Sequence, residues 1–163
     1  MKILITGGAG FVGARLARAL LARGELDGKP IRRLVLVDQF AAPADLAARA
    51  DVEVHAGALL DHCAALRDGT GPGAGDAFDA VFHLASAVSG ECELDFDLGL
   101  RSNIDSTRAL LDAMRARTAA GAAPVKFVFS SSIAVFGPDP AYPFPELVGD
   151  RSEEHTSELQ SRV

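Results

Sequence analysis

Lys2-Ile3-Leu4-Ile5-Thr6-Gly7-Gly8-Ala9-Gly10-Phe11-Val12-Gly13 decides the fold of this chain. Ile3 to Ile5 is a short apolar run with the character of a buried strand, a glycine-rich turn follows at once, and residues 11–22 then have the pattern of a helix. The glycines satisfy two overlapping templates, Gly7-x-x-Gly10-x-x-Gly13 and Gly8-x-Gly10-x-x-Gly13. Both describe a turn whose backbone must lie close to a phosphate. A side chain there would block the approach, and the free N–H groups at a helix start attract negative charge. Ordinary glycine loops share such patterns, so the context decides. Here the turn directly follows an apolar run and opens an amphipathic segment with Phe11, Leu16, Leu20 and Leu21 near helical spacing. A second apolar run, Leu34-Val35-Leu36-Val37, then ends on an acid, Asp38. The pattern predicts a bound dinucleotide.

Working outward, apolar runs alternate with helical segments. The predicted strands are 2–6, 33–38, 52–56, 80–84 and 125–130; the predicted helices are 11–23, a short piece at 44–50, 59–68, and one long helix over 94–118. Strands without polar alternation are buried on both faces, which requires a parallel sheet covered by helices. Right-handed crossovers then give an α/β fold, a Rossmann-type doubly wound parallel sheet of order 3-2-1-4-5 that is truncated after its fifth strand. Ligand belongs at the carboxyl ends of strands one and four, where the winding reverses. Residues 24–30 and 69–75 are expected to be plain loops, the first lengthening the path from Gly13 to Asp38 beyond the usual spacing of about 20 residues.

Composition narrows the function. The chain has 163 residues, 48% of them hydrophobic, enough for one domain with a sizeable core. No apolar run reaches membrane-spanning length, and glycines interrupt the first one too early for a signal peptide. A net charge of −6 without a basic tract argues against nucleic acid as a partner. Cys63 and Cys92 have no zinc or redox spacing and suit a cytoplasmic protein with ordinary thiols.

The candidate residues cluster at strand ends. Asp38 is placed to accept hydrogen bonds from both adenosine ribose hydroxyls and to repel a 2′-phosphate, favouring NAD over NADP; the alternative is a simple turn residue. Leu84, Ala85 and Ser86 follow strand four, where small residues let backbone approach a flat cofactor. His83, just before them, is expected to pack inside the strand, because no partner acid or nucleophile is visible. Ser130-Ser131-Ser132 ends strand five and either orients a substrate hydroxyl or caps a turn. Asp61-His62-Cys63 is expected to be a surface helix start, since three adjacent helical residues cannot converge on one ion; no metal is expected. Glu91-Cys92-Glu93 suits the positive start of a helix. Asn103, mid-helix, faces either solvent or the cofactor side of the sheet.

Taken together, Thr6 to Gly13, Asp38, His83-Leu84-Ala85, Asn103 and Ser130-Ser131-Ser132 resemble the extended short-chain dehydrogenases/reductases, and within them the NAD-dependent epimerase/dehydratase family. The resemblance covers roughly residues 1–150. Ser86-Ala87-Val88-Ser89-Gly90-Glu91-Cys92 and Ile133-Ala134-Val135-Phe136-Gly137-Pro138-Asp139 resemble the family's D-erythronate dehydrogenases, which implies a sugar-acid or sugar substrate oxidised with NAD. The resemblance implies Gly7, Gly10, Phe11 and Val12 at the pyrophosphate, Asp38 at the ribose, and Leu84, Ala85 and Ser86 along the cofactor. It implies Ser132 as the catalytic serine, Ser130 and Ser131 on the cofactor side, Asn103 in support of the site, and a homodimer for the full-length protein. Gly57-Ala58-Leu59 departs from the family's Gly-Asp-Leu, whose acid contacts adenine.

A larger departure is the family's base, a tyrosine with a lysine four residues on that lowers its pKa. Here the single tyrosine, Tyr142, has Glu146 four places later and lies in a proline-rich stretch. The chain is therefore expected to be inactive by itself; a non-catalytic dinucleotide-binding module and a nucleotide-sugar epimerase or dehydratase are the alternatives. Residues 151–163, polar and unlike what precedes them, resemble a translated sequencing-adapter read. The expectation is a Rossmann domain over 1–150, a non-native tail, and a native frame continuing into a catalytic helix, two further strands and a substrate domain.

Overall fold

The computed structural model describes residues 1–68, 70 and 77–131. The expectations placed on Ser132, Tyr142, most of the 69–75 loop and the 151–163 tail lie outside the described residues. Met1–Phe129 form one compact unit, to which all the elements below belong; of a second unit, Ser130–Val163, only Ser130 and Ser131 are described.

In chain order the elements are β1 (Lys2–Thr6), α1 (Phe11–Arg23), β2 (Glu25–Leu26), β3 (Lys29–Pro30), β4 (Arg33–Asp38), α2 (Ala44–Ala47), β5 (Val52–Ala56), α3 (Leu59–Arg67), β6 (Ala80–His83), α4 (Ser89–Leu94), α5 (Phe96–Gly99), a π-helical segment (Leu100–Asp105), α6 (Ser106–Ala119) and β7 (Lys126–Phe129). Five strands form one parallel sheet in the order β5-β4-β1-β6-β7. Counting only those five strands, this is the expected 3-2-1-4-5.

The alternation of side chains along each strand splits the core into two layers. Leu4, Val35, Val37 and Val81 face Cys63 and Leu66 of α3 and Leu110, Ala113 and Met114 of α6. Ile3, Ile5, Leu34, Leu36 and Ala80 face Ala14, Ala17 and Leu20 of α1 and Leu46 of α2. Each fully buried Leu or Ile contributes about 2 kcal/mol, and β1, apolar on both faces, sits at the centre. β7 is an edge strand with Val128 and Phe129 exposed.

Four expectations need correction. The helix over 94–118 is not continuous: Asp95 is extended (φ −137°, ψ 94°) and its carboxylate accepts the Leu98 N–H at 2.9 Å, starting a new helix. An aspartate that can cap a helix competes with continuing one. Residues 24–30 are not a plain loop. Asp27 (φ 52°) and Gly28 (φ 70°) make the left-handed two-residue turn of a small antiparallel hairpin, β2–β3. Phe11 does not join the apolar face of α1; it is 84% exposed, and that face is Gly13, Ala14, Ala17 and Leu20, small enough for the helix start to lie tight against the sheet. Finally, only Asp61 of Asp61-His62-Cys63 is on the surface; His62 and Cys63 are buried.

Candidate functional site

The turn after β1 is held on three sides. The N–H groups of Gly7 and Gly8 donate to the Val37 carbonyl at 2.8 and 3.3 Å, tying the turn to the end of β4. Gly7 has φ +70°, and a Cβ there would meet the Ala85 nitrogen and the Leu84 carbonyl carbon at 2.9 Å. A Cβ on Gly13 would stand 2.1 Å from the Gly7 oxygen. These two glycines are therefore required by close backbone packing. Gly10 differs: it is exposed, and a Cβ would touch only the Gly7 oxygen, at 3.3 Å. Gly10 caps α1, and Ala14 N–H bonds its carbonyl at 2.9 Å. The N–H groups of Phe11, Val12 and Gly13 belong to the first turn, where a helix offers no internal acceptor, and no acidic side chain stands there.

Asp38 is half-buried at the end of β4. Its Oδ2 accepts the N–H groups of Ala9 (2.9 Å) and Gly10 (3.2 Å), and its Oδ1 that of Phe40 (3.0 Å). It thus braces the glycine turn and makes the turn contact that was its alternative reading. A carboxylate has about four lone-pair sites and three are taken, so Oδ1 can accept one further donor.

Across from the turn, β6 ends against β1. Thr6 and His83 are register partners, both buried, with Thr6 Oγ1 2.6 Å from His83 Nδ1. Leu84 N–H donates to the Thr6 carbonyl (3.1 Å), and Leu84 and Ala85 N–H both reach Thr6 Oγ1 at 3.3 Å. His83 Nε2 lies 2.8 Å from Thr107 Oγ1, and burial lowers the His83 pKa. His83 is therefore a packed, hydrogen-bonded residue, as expected.

Asn103 lies in the π-helical segment and faces the chain leaving β6. Its Oδ1 accepts Ala87 N–H (2.8 Å) and its Nδ2 donates to the Ala87 carbonyl (3.0 Å). Two hydroxyls bond back onto this segment: Thr107 donates to the Asn103 carbonyl at 2.8 Å and Ser106 to the Ser102 carbonyl. Ser86 is exposed between these anchors. Ser130 and Ser131 follow β7 and are exposed.

Sequence reasoning missed Thr6 and Thr107 as members of this arrangement. Two signals were available: a lone hydroxyl ending an otherwise apolar strand, and a threonine four residues after Asn103 on the same helical face.

The β5–α3 flank carries less. Gly57 (φ +155°) has nothing within 4 Å of a built Cβ, and Ala58, the N-cap of α3, makes no side-chain cap. Buried His62 stacks on His55 at 5.5 Å between centroids, and Glu53 bridges His55 at 2.8 Å. Burial, and secondarily the neighbouring His55, pushes His62 down to about 4; burial pushes the Cys63 thiol up to about 12. Among the described residues no His, Cys, Asp and Glu cluster could hold a metal ion. No described helix is long and apolar enough to cross a membrane.

The residues at the β1 turn fit a dinucleotide: a cradle that a Cβ would fill, free helix N–H groups, and a carboxylate closing β4. Comparison with known proteins identifies the family. A model of the NAD dependent epimerase/dehydratase family matches residues 3–159. The chain is 50% identical over 141 residues to a D-erythronate dehydrogenase of Cupriavidus necator, covering 84% of this chain and 40% of that enzyme. A nucleoside-diphosphate-sugar epimerase structure from Agrobacterium tumefaciens superposes with TM-score 0.74 at 38% identity, over 94% of this chain and 43% of that one. A UDP-glucose-4-epimerase from Stenotrophomonas maltophila with bound NAD and formylated UDP-arabinopyranose superposes with TM-score 0.67 at 27% identity, over 99% and 48%. The chain thus spans about two fifths of the length of the curated relatives it matches.

Proposed function

Since the chain belongs to the NAD-dependent epimerase/dehydratase family, we propose that it is the NAD-holding part of an oxidoreductase acting on a hydroxyl of a sugar acid similar to D-erythronate. The single observation carrying this reading is the glycine turn, whose Gly7 and Gly13 admit no side chain while the N–H groups of Phe11 and Val12 stay available for a pyrophosphate. The 50% identity to a D-erythronate dehydrogenase supports the substrate class. Bound here, NAD would accept the hydride from the substrate carbon bearing the hydroxyl.

The chain's own residues have distinct parts in this reading. Gly7 and Gly10 shape the cradle, and Phe11 and Val12 hold the pyrophosphate. The remaining lone pair of Asp38, on Oδ1, takes an adenosine ribose hydroxyl, and the carboxylate charge repels a 2′-phosphate. Leu84, Ala85 and Ser86 line the cofactor, and Asn103 steadies that lining through Ala87. Ser130 and Ser131 flank the cofactor, and Ser132 binds the substrate hydroxyl. The tyrosine–lysine pair that takes the hydroxyl proton in this family has no match here, because Tyr142 is followed four places on by Glu146. The chain by itself therefore binds without reacting. A homodimer of the full-length protein and a cytoplasmic location belong to the same proposal.

The likeness to a nucleoside-diphosphate-sugar epimerase favours a second reading, in which the same half serves an epimerase or dehydratase. Calorimetric titration of the 163-residue chain tests the proposal. NAD should bind at least ten-fold more tightly than NADP, with no NAD reduction on adding D-erythronate. Equal binding of both dinucleotides would remove the ribose role of Asp38, measurable reduction would overturn the inactivity, and no binding of either would overturn the whole reading.

A further inference from the structure

We propose that His83 is a positioning residue for the dinucleotide: a neutral ring protonated on Nε2, it joins Thr6 at the end of β1 to Thr107 on α6 and so fixes the Leu84–Ala85 wall against which Gly7 lies. This rests on the dinucleotide reading above.

The protonation follows from the direction of the hydrogen bonds. Thr107 Oγ1 donates its single proton to the Asn103 carbonyl at 2.8 Å, so it presents only lone pairs to His83 Nε2, also at 2.8 Å. Nε2 must then be the donor. A neutral ring leaves Nδ1 bare, and it accepts the Thr6 hydroxyl proton at 2.6 Å. The Thr6 oxygen, its proton spent, turns its lone pairs to the N–H groups of Leu84 and Ala85. Every donor points one way, from the wall through Thr6 and His83 to Thr107 and Asn103. The other tautomer would aim Nδ1–H at an oxygen already facing two N–H groups. Burial of the ring, 1% exposed and flanked by Phe127 and Phe129, favours the neutral form.

The wall matters because it lies close against the turn, leaving less than the room of a methyl group. The place of a Gly7 Cβ is already 2.9 Å from the Ala85 nitrogen and the Leu84 carbonyl carbon, and Asn103 pins Ala87 beyond. A shift of Leu84–Ala85 toward the turn closes the small remaining space and presses on Gly7, and through it on the N–H groups at the start of α1. Thr107, on another element, thereby bears on the turn without being part of it.

Two linked measurements on the full chain test this. Nitrogen-15 NMR of histidine-labelled protein should show His83 with Nε2 protonated and Nδ1 bare. Thr107→Val, which removes the acceptor but keeps the shape, should shift that tautomer and weaken NAD at least five-fold, and Thr107→Ser should restore both. His83→Phe should cost NAD affinity at least ten-fold and speed amide exchange at Leu84 and Ala85, with far-ultraviolet dichroism unchanged. A parent ring protonated on Nδ1 would sink the idea. So would Thr107→Val and His83→Phe chains that bind NAD as the parent does. If the parent binds no NAD, the dinucleotide reading fails first and the positioning role with it. If the parent binds and the variants bind equally, only the positioning role fails.

Discussion

Two turns in this molecule connect a strand to a helix through glycine, one after β1 and one after β5, and they are built to different tolerances. At the first, a Cβ on Gly13 would lie 2.1 Å from a carbonyl oxygen, and Asp38 satisfies two of the turn's N–H groups. At the second, Gly57 has open space around it, Ala58 leaves α3 uncapped, and buried His62 has no hydrogen-bond partner for Nε2. Among the described residues the two buried histidines repeat the contrast, since His83 has partners at both ring nitrogens. Close packing and polar pairing are concentrated around the turn proposed to hold the dinucleotide, where only the first N–H groups of α1 stay open. The β5 flank tolerates an open turn and an unmet nitrogen because less depends on its exact placement.

The contrast can be attacked most strongly at Gly13. Gly13→Ala should cost at least about 3 kcal/mol and abolish NAD binding, because the new methyl can escape only by moving the turn backbone. Denaturant unfolding with NAD titration checks this; a variant that keeps both stability and binding would dissolve the distinction between the turns.

The next largest effect belongs to His62. Its folded pKa of about 4 lies below the unfolded value of 6.5, so as pH falls from 6.5 the unfolded chain takes up the proton first. The stability contributed by the neutral ring is complete above pH 6.5 and lost as pH falls toward 4, a change of about 3 kcal/mol. His62→Leu should remove this part of the acid slope while leaving NAD affinity near pH 7.5 unchanged. Parallel slopes for parent and variant would show that the flank is as well satisfied as the β1 turn.

The smallest effect is a gain. Ala58→Asp supplies the missing cap of α3 and should add about 1 kcal/mol, seen as a raised melting temperature. No gain would mean that the second turn is more constrained than its open geometry indicates.

Much of the fold was legible in the chain itself. β1, β4 and β5 begin and end where the sequence predicts them; for β1 and β4 the signal is a central apolar run, because a strand buried on both faces must be apolar along its middle. The helix after β6 was not legible, because its break depends on whether Asp95 caps a new helix or faces water, and helical periodicity is blind to that choice. Phe11 misled for a related reason. Periodicity counts large apolar residues, whereas the close approach of α1 selects Gly13, Ala14 and Ala17.

By itself the sequence determined the parallel sheet, its strand order and the place of the glycine turn, since these follow from local patterns of apolarity and chain stiffness. Tertiary structure alone decided which glycines are indispensable, what Asp38 braces, and how Thr6, His83 and Thr107 meet. Thr6 and His83 stand 77 positions apart, and relations of this kind exist only once strands and helices have closed on one another.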